Sequence, residues 1–501
     1  MKSATVRLMS CANVGPIDRR IFGGFLEHLG RAVYEGAYDP DNPLSNPQGF
    51  RTDVLELMRG LRMATVRYPG GNFASAYNWR DGVGPREQRP VRADFAWQSI
   101  EPNTFGTDEF VAWCRAIDSK PMITVNLGTG TAADAAAWVE YCNFPGGTAL
   151  SDMRIANNAG DRTPHDVTLW CLGNEMDGPW QAGHVPAEAY ALRADQAARL
   201  MRGIGAAPIE LTAAGSSGRT MPGYMQWDRT VLEYCWDTID YIAAHRYSEN
   251  RANDSPRFLA EGVEIDSILD DYAALLRYVK ARRKSVKNVY LSFDEWNVWY
   301  RARGEGNWSH APHLLEEVYN LEDALVCAQY LNAFIRHADV VKLACLAQVV
   351  NVIAPVLTRA DGVLVQSIYH PFALMAEHVA GVSLTPFVGT PLYTAGDRGE
   401  VPVLDAAAAY DETTGRLCMS LVNRSTTDAL RVTLDAADLT MQSDAAGELI
   451  THDDPKAHND WDAPQRVTPK ALAVEIGDDG RATLTLPRLS HAVVRITVRK
   501  R

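Results

Sequence analysis

The chain has 501 residues, of which 46% are hydrophobic and 22% charged, and its formal net charge is −13. This composition excludes a disordered chain, a collagen-like repeat and a small disulfide-stapled scaffold, and an acidic chain of this size suits neither nucleic-acid phosphates nor anionic lipid. The charge is not segregated: residues 381–501 carry 17 acidic and 13 basic side chains, a balance of −4 that leaves −9 for the rest, so no charged tail reads as an interaction arm.

In chain order, Met1–Ser10 alternates polar and apolar residues and is expected to form a strand of a β-domain found further along. It lacks the apolar core of a signal peptide, and no run of about 18 apolar residues occurs. A cytoplasmic protein is therefore expected, and the sequons at Asn307 and Asn423 read as chance matches. Between residues 17 and 380, short buried-type strands ending in polar residues alternate with helical patterns. The strands are predicted at Ile21–His28, Ala64–Gly71, Pro121–Gly128, Val167–Glu175, Ile209–Ser217, Ile239–Tyr247, Asn288–Trp296 and Val340–Asn351. Apolar residues at three- and four-residue spacing predict helices at Thr52–Leu61, Asp108–Ile117, Asp134–Tyr141, Ala187–Met201, Ile268–Lys280 and Glu322–Arg336. Eight strand–helix units predict an α/β fold, a (β/α)8 barrel whose catalytic groups sit at the C-terminal strand ends.

After residue 380 the pattern becomes short alternating stretches between turns: Leu417–Val422, Leu430–Leu434, Ala471–Ile476, Ala482–Leu486 and Ala492–Val498. Residues 381–501 are thus expected to form an all-β, jelly-roll-like sandwich to which residues 1–16 contribute. The eight cysteines form no CxxC pair and mostly lie inside apolar runs such as Leu169–Leu172, so they read as small buried hydrophobes.

The strand ends carry the chemistry. They hold Glu27-His28, Pro69–Asn72, Asn126, Asn174-Glu175, His245–Tyr247, Asp294–Asn297, and Gln348 with Asn351. Polar groups in a barrel mouth cost free energy unless paired or used, and seven such ends with acids, amides and a histidine point to a hydroxyl-rich ligand. Glycoside hydrolysis needs two carboxyl groups flanking the scissile bond. Glu175 on strand four and Glu295 on strand seven face each other across an eight-strand ring; Glu27 is a third acid, and spacing alone leaves open which of the three are catalytic. An ion pair with Arg67 is the competing reading for any one of them. The aromatic cluster Trp296, Trp299, Tyr300 and Trp308 reads either as core or as a rim that stacks on sugar rings. Two weaker motifs are set aside: Gly128–Ala133 matches a loose dinucleotide fingerprint but falls in the third unit of a barrel, and His310, His313, Glu316 and Glu317 lie in a loop around Pro312, not on one helix face.

On Phe22–His28, Arg67–Phe73, Trp170–Trp180, Leu291–Tyr300, Ala344–Asn351, Tyr77–Trp79 and Asp81–Pro85, the chain resembles the α-L-arabinofuranosidases of glycoside hydrolase family 51 over nearly its full length. The resemblance implies a barrel with a C-terminal β-sandwich, Glu175 as general acid/base and Glu295 as nucleophile. It implies that Glu27, Asn72 and Asn174 bind sugar hydroxyls, that His245 and Tyr247 position the carboxylates, that Gln348 closes the sugar pocket, and that Trp97 and Trp299 line its mouth. The expected activity is retaining, exo-acting release of α-L-arabinofuranosyl residues from arabino-oligosaccharides, with no metal or organic cofactor, by a homo-oligomer that the family makes a hexamer. Arg246 stands where the family often has Gln, Ala76 replaces a common Gly and Arg80 a common acid, and the loop Arg301–Ala311 is short and rich in Gly and Arg. These departures bear on the aglycone; Arg246 is left with two readings, a bond to a substrate hydroxyl or a pair with Glu249. The alternatives are another retaining barrel glycosidase such as a β-xylosidase or endoglucanase, a non-catalytic sugar-binding protein and, resting on the Gly128 loop alone, a nicotinamide oxidoreductase.

Overall fold

The structure is a computed structural model that describes residues 1–500. Eight parallel strands close into a barrel: Gly23–Phe25, Thr65–Tyr68, Lys120–Val125, Leu169–Leu172, Glu210–Ala213, Tyr241–Ser248, Tyr290–Val298 and Val341–Ala347. They are referred to below as barrel strands one to eight. Each falls within or overlaps its predicted span. The predicted polar ends mostly lie just beyond the hydrogen-bonded strand, where the backbone is free to aim side chains into the mouth. The barrel interior is filled by Phe25, Met122, Leu169, Cys171, Tyr241, Leu343 and Cys345, so it is a packed core and not a pore.

The helices cover the barrel by burying one face each. In Thr52–Leu61 the buried residues are Val54, Leu55, Met58 and Leu61, a single stripe at helical spacing; burying each such side chain is worth about 1.5–3 kcal/mol relative to leaving it exposed. Leu321–Arg336 differs, because every residue from Leu321 to Ile335 is buried. It lies between barrel strand seven and the strand Leu404–Asp411 of the C-terminal region, and its polar residues are paired: Asn332 donates to Asp405 at 2.7 Å and Gln329 accepts from Arg424 at 2.8 Å. Ala149–Asn157, Gln226–Cys235 and Tyr369–His378 are helices beyond those predicted.

The C-terminal region is two sheets facing across a core that includes Val6, Leu8, Leu421, Val432, Leu484 and Val494. The N-terminal strand Lys2–Leu8 pairs in parallel with Leu430–Ala436, and Asn13–Pro16 pairs with Val382–Leu384 in the other sheet. In Lys2–Leu8 the alternation puts Ala4, Val6 and Leu8 inward. The predicted strand Ala471–Ile476 is two strands, Lys470–Leu472 and Glu475–Ile476, which belong to different sheets. Leu404–Asp411 escaped prediction because Leu404 through Tyr410 are all buried, so the segment has no polar alternation, and its alanine run favours helix by propensity. Seven cysteines are buried and Cys11 is exposed. Among the described residues no helix is long and apolar enough to cross a membrane.

Candidate active site

Barrel strand seven brings the site together through an irregularity. Against strand six, Ala243 pairs with Ser292 but His245 pairs with Glu295; against strand eight, Phe293 pairs with Ala344 but Trp296 with Leu346. Around Asp294 strand seven therefore carries one extra residue relative to both neighbours, and an opposite shift between Leu291 and Ser292 restores the count against strand eight. Strict alternation would send Asp294 and Glu295 to opposite faces; the bulge lets both reach the same guanidinium. Arg67 donates to Glu295 Oε1 at 2.7 Å and to Asn174 Oδ1 at 2.6 Å, and its Nε lies 3.7 Å from Asp294 Oδ2. Burial would lower the pKa of Arg67, but Asp294 and Glu295 outweigh it and hold the pKa well above the ordinary value. Burial would likewise raise that of Asp294, yet Arg67 and His245 hold it down, so it stays ionised.

His245 joins the two sides of the site. Its Nδ1 is 3.0 Å from Glu175 Oε1 and its Nε2 3.0 Å from Asp294 Oδ1. Burial alone would discharge the ring; Glu295, Asp294 and Glu175 around it reverse the sign and keep its pKa well above the ordinary value. One oxygen each of Glu175 and Glu295 and a nitrogen of His245 lie within 4.8 Å of one another. Such a trio has metal-ligand residue types, but a His245 protonated on both nitrogens has no lone pair for an ion.

Glu175 follows the turn at Gly173 and has a φ of +41°, a left-handed backbone that a side-chain-bearing residue adopts at a cost of roughly 1–3 kcal/mol. Its Oε2 accepts from Trp180 Nε1 at 2.7 Å, and this indole is half exposed at the cleft. Tyr247 donates to Glu295 Oε2 at 2.9 Å. On the far side Glu27 Oε1 accepts from Phe73 N at 3.0 Å and Trp97 Nε1 at 3.1 Å, while Gln348 accepts from Glu27 N at 2.9 Å and donates to its Oε2 at 3.3 Å. Burial pushes the Glu27 carboxyl up to about 8, with the Glu295 charge adding to it and the Phe73 amide opposing it. The glycines of Pro69–Asn72 make this packing possible: a Cβ on Gly70 would sit 2.6 Å from Glu27 Cγ, and one on Gly71 would sit 3.0 Å from Glu295 Oε1.

A cleft of about 360 Å³ brings together Glu27, Asn72, Trp97, Glu175, His245, Tyr247, Glu295, Trp299 and Gln348. Asn72 makes no side-chain hydrogen bond as a cap, which leaves its amide for a ligand. Asn174 stands apart: it is buried behind Gly71, with Oδ1 on Arg67 and Nδ2 3.4 Å from Gln181. Of the aromatic cluster, Trp299 alone reaches the cleft; Trp296 is core, stacked on Tyr330. Asn351 and Asn126 are structural, the first tied to Arg31 O and Thr358, the second to Tyr77 O. Asn126 Oδ1 also accepts from the amides of Gly128, Thr129 and Gly130 at 2.9–3.1 Å, which occupies the donors a dinucleotide phosphate would need. Of the His310–Glu317 set, Glu317 is taken up by the amides of Tyr300 and Ala302, and Glu316 is shared between Arg31 and His313. Arg246 does not form the expected pair with Glu249: it lines the cleft and pairs with Glu261, while Glu249 pairs with Arg251.

The sequence offers Arg67 only as a competing ion-pair partner, Asp294 only as one strand-end acid and Trp180 only as part of a motif; the structure makes the Arg67 pair with Glu295 real and places Asp294 and Trp180 against His245 and Glu175. A charged residue in the middle of a buried strand, as Arg67 is in Thr65–Tyr68, was the available signal. Trp180 had no signal beyond its motif.

The family model described as alpha-L-arabinofuranosidase 1 domain matches residues 57–261, and the alpha-L-arabinofuranosidase C-terminal domain matches residues 294–490. An intracellular exo-alpha-(1->5)-L-arabinofuranosidase of Acetivibrio thermocellus is 42% identical over 99% of this chain and 100% of its own length. An exo-alpha-(1->6)-L-arabinofuranosidase of Bifidobacterium longum is 40% identical over 96% of this chain and 95% of its own. A solved family 51 α-L-arabinofuranosidase of Bifidobacterium longum superposes with a TM-score of 0.93 at 36% identity, covering 99% of this chain and 100% of that one. The chain belongs to the α-L-arabinofuranosidases of glycoside hydrolase family 51.

Proposed function

We propose that the protein removes terminal, non-reducing α-L-arabinofuranosyl residues from arabino-oligosaccharides by double displacement, with Glu295 as nucleophile and Glu175 as acid/base. The observation that carries this is the approach of the two carboxylates to within 4.8 Å. That is close to the ~5–5.5 Å of a retaining pair and well short of the ~6.5–9.5 Å that leaves room for a water in an inverting one.

In the first step Glu295 attacks the anomeric carbon while the leaving oxygen takes the Glu175 proton, forming a glycosyl ester. In the second, Glu175 takes a proton from water and that water displaces Glu295, so the configuration is retained. Arg67 and Tyr247 fix the two Glu295 oxygens and thus the line of attack. His245 aims Glu175 and is itself anchored on Asp294. Glu27, neutral below about pH 8, can donate to a sugar hydroxyl, with Asn72 and Gln348 as further partners in the cleft, Asn174 behind them through its Nδ2, which otherwise has only the 3.4 Å bond to Gln181, and Trp97 and Trp299 as apolar walls. The relatives named for (1→5) and (1→6) linkages match this chain about equally, so linkage preference is assigned to the mouth and not to these residues. We also assign the chain to the cytoplasm, after relatives named intracellular, and to a homo-oligomer, a hexamer by its family resemblance. Light scattering that returns a 55.2 kDa monomer would contradict the oligomer.

The test of function is a panel of 4-nitrophenyl glycosides read together with the anomer of the first sugar released, by NMR. Release from the α-L-arabinofuranoside with the α-anomer appearing first is expected. Release from β-D-xylopyranoside alone, or the β-anomer first, overturns the proposal.

A further inference from the structure

The cleft is acidic at its floor and basic at its mouth. Arg219, Arg246, Arg301 and Arg303 line it, and its only carboxylates are Glu27, Glu175 and Glu295. In a chain with a net charge of −13 this concentration of cations at one opening runs against the surface as a whole. Two of the four are neutralised within the fold: Arg219 lies 3.0 Å from Glu264 and 3.4 Å from Asp271, and Arg246 pairs with Glu261. Arg301 and Arg303 have no ion-pair partner within 4.0 Å among the described residues.

The segment that carries them is nonetheless fastened. Glu317 accepts from the amides of Tyr300 at 3.0 Å and Ala302 at 3.2 Å, and the Arg303 carbonyl accepts from Leu315 N at 3.2 Å. The Arg301 guanidinium lies 4.1 Å from the ring centroid of Trp299, on the cleft wall. Stacking holds a guanidinium by its face and leaves the donors at its edge free, and that planar fork matches a carboxylate. The backbone is thus secured by a buried acid while the two charges are left to whatever enters the mouth.

We propose that Arg301 and Arg303 form an aglycone subsite for an acidic sugar, a uronic-acid unit whose carboxylate the arginines take while the arabinofuranosyl unit fills the floor. This rests on the arabinofuranosidase reading and names a substrate class for it. The test uses two disaccharides, α-L-arabinofuranosyl-galacturonic acid and α-L-arabinofuranosyl-galactose, which differ only at C6 of the aglycone. kcat/KM is measured at low salt and at about 0.3 M salt for the wild type and for the Arg301→Gln/Arg303→Gln double variant. The wild type is expected to favour the uronate roughly tenfold at low salt, to lose most of that preference at high salt, and the double variant to fall to within about twofold of parity. Equal kcat/KM on the two disaccharides in the wild type, a preference that survives in the variant, or cleavage of neither disaccharide overturns the proposal. Failure of the parent reading is separate, since it shows as no release from 4-nitrophenyl α-L-arabinofuranoside.

Discussion

At the floor of the cleft each charged side chain is held by another part of the barrel. Arg67 spans Glu295, Asp294 and Asn174, and His245 spans Glu175 and Asp294. At the mouth, Arg301 leans on an aromatic face and Arg303 on nothing charged. The difference follows from solvent. A buried charge without a partner costs several kcal/mol, so the floor must be closed on itself before any substrate arrives. An exposed charge costs little, so the mouth can keep cations for a ligand. The floor is built to fix reacting atoms, and the mouth is left to choose among aglycones.

The comparison breaks most sharply at the floor carboxylates. Glu295→Ala should abolish turnover, by roughly 10⁴-fold or more, and azide should not restore product of retained configuration, because the attacking oxygen is gone. Glu175→Ala should lose about 10²–10⁴-fold on poor leaving groups, and azide should then yield the α-azide, of retained configuration, from an activated substrate, since Glu295 survives to form the ester that azide opens. Full activity in either variant, or the same azide outcome in both, overturns the division of roles.

Next in size is the buried cation. Arg67→Met leaves Asp294 and Glu295 without their shared partner, which is expected to destabilise the fold by about 3–5 kcal/mol. Denaturant unfolding measures it. A loss below about 1 kcal/mol would mean that the floor is not closed through Arg67. His245 remains beside both carboxylates, so the variant should fold, but with Glu295 free to swing and kcat reduced more than KM is raised.

This network marks how far the sequence was legible. The eight strands and the acids at their ends could be read because burial and polar termination leave local patterns. Glu27, Glu175 and Glu295 converge as their strand positions imply. The bulge that turns Asp294 and Glu295 to one side left no pattern, since it is a mismatch in register with two distant strands. The partner of Arg246 was equally hidden: Glu261 lies only 15 residues on, but a loop and a short helix separate them, and the choice over Glu249 is made by the fold. Leu404–Asp411 was invisible for the opposite reason, being buried on both faces and therefore patternless.

A smaller effect separates floor from mouth by pH. The folded chain holds the Glu27 proton up to about pH 8, against an ordinary glutamate value of 4.5. Between those limits the folded state binds more protons than the unfolded one, so stability contributed by this group is full below about 4.5 and is lost as pH climbs to about 8. Glu27→Gln removes the ionisation and keeps an oxygen for the Trp97 and Phe73 donors. The Tm of the variant relative to wild type should therefore rise between pH 5 and pH 8, by about 2–4 °C. A difference that stays flat over that range would mean that Glu27 ionises freely.

The smallest effect is expected where floor and mouth meet, at Arg246. This arginine lines the cleft, yet its guanidinium is turned onto Glu261, which also receives Arg398 and the Ser248 hydroxyl at 2.9 Å. Burial would raise the pKa of Glu261, but Arg246 and Arg398 hold it down, so the carboxylate is ionised. Removing one of two cations leaves that charge paired and hydrogen-bonded, which is far cheaper than stranding it. Arg246→Gln should accordingly lower stability by about 1 kcal/mol and change kcat/KM on a neutral arabinofuranoside by less than about threefold. A tenfold rise in KM with stability intact would move Arg246 from the scaffold to the substrate, and the boundary between floor and mouth would shift outward by one residue.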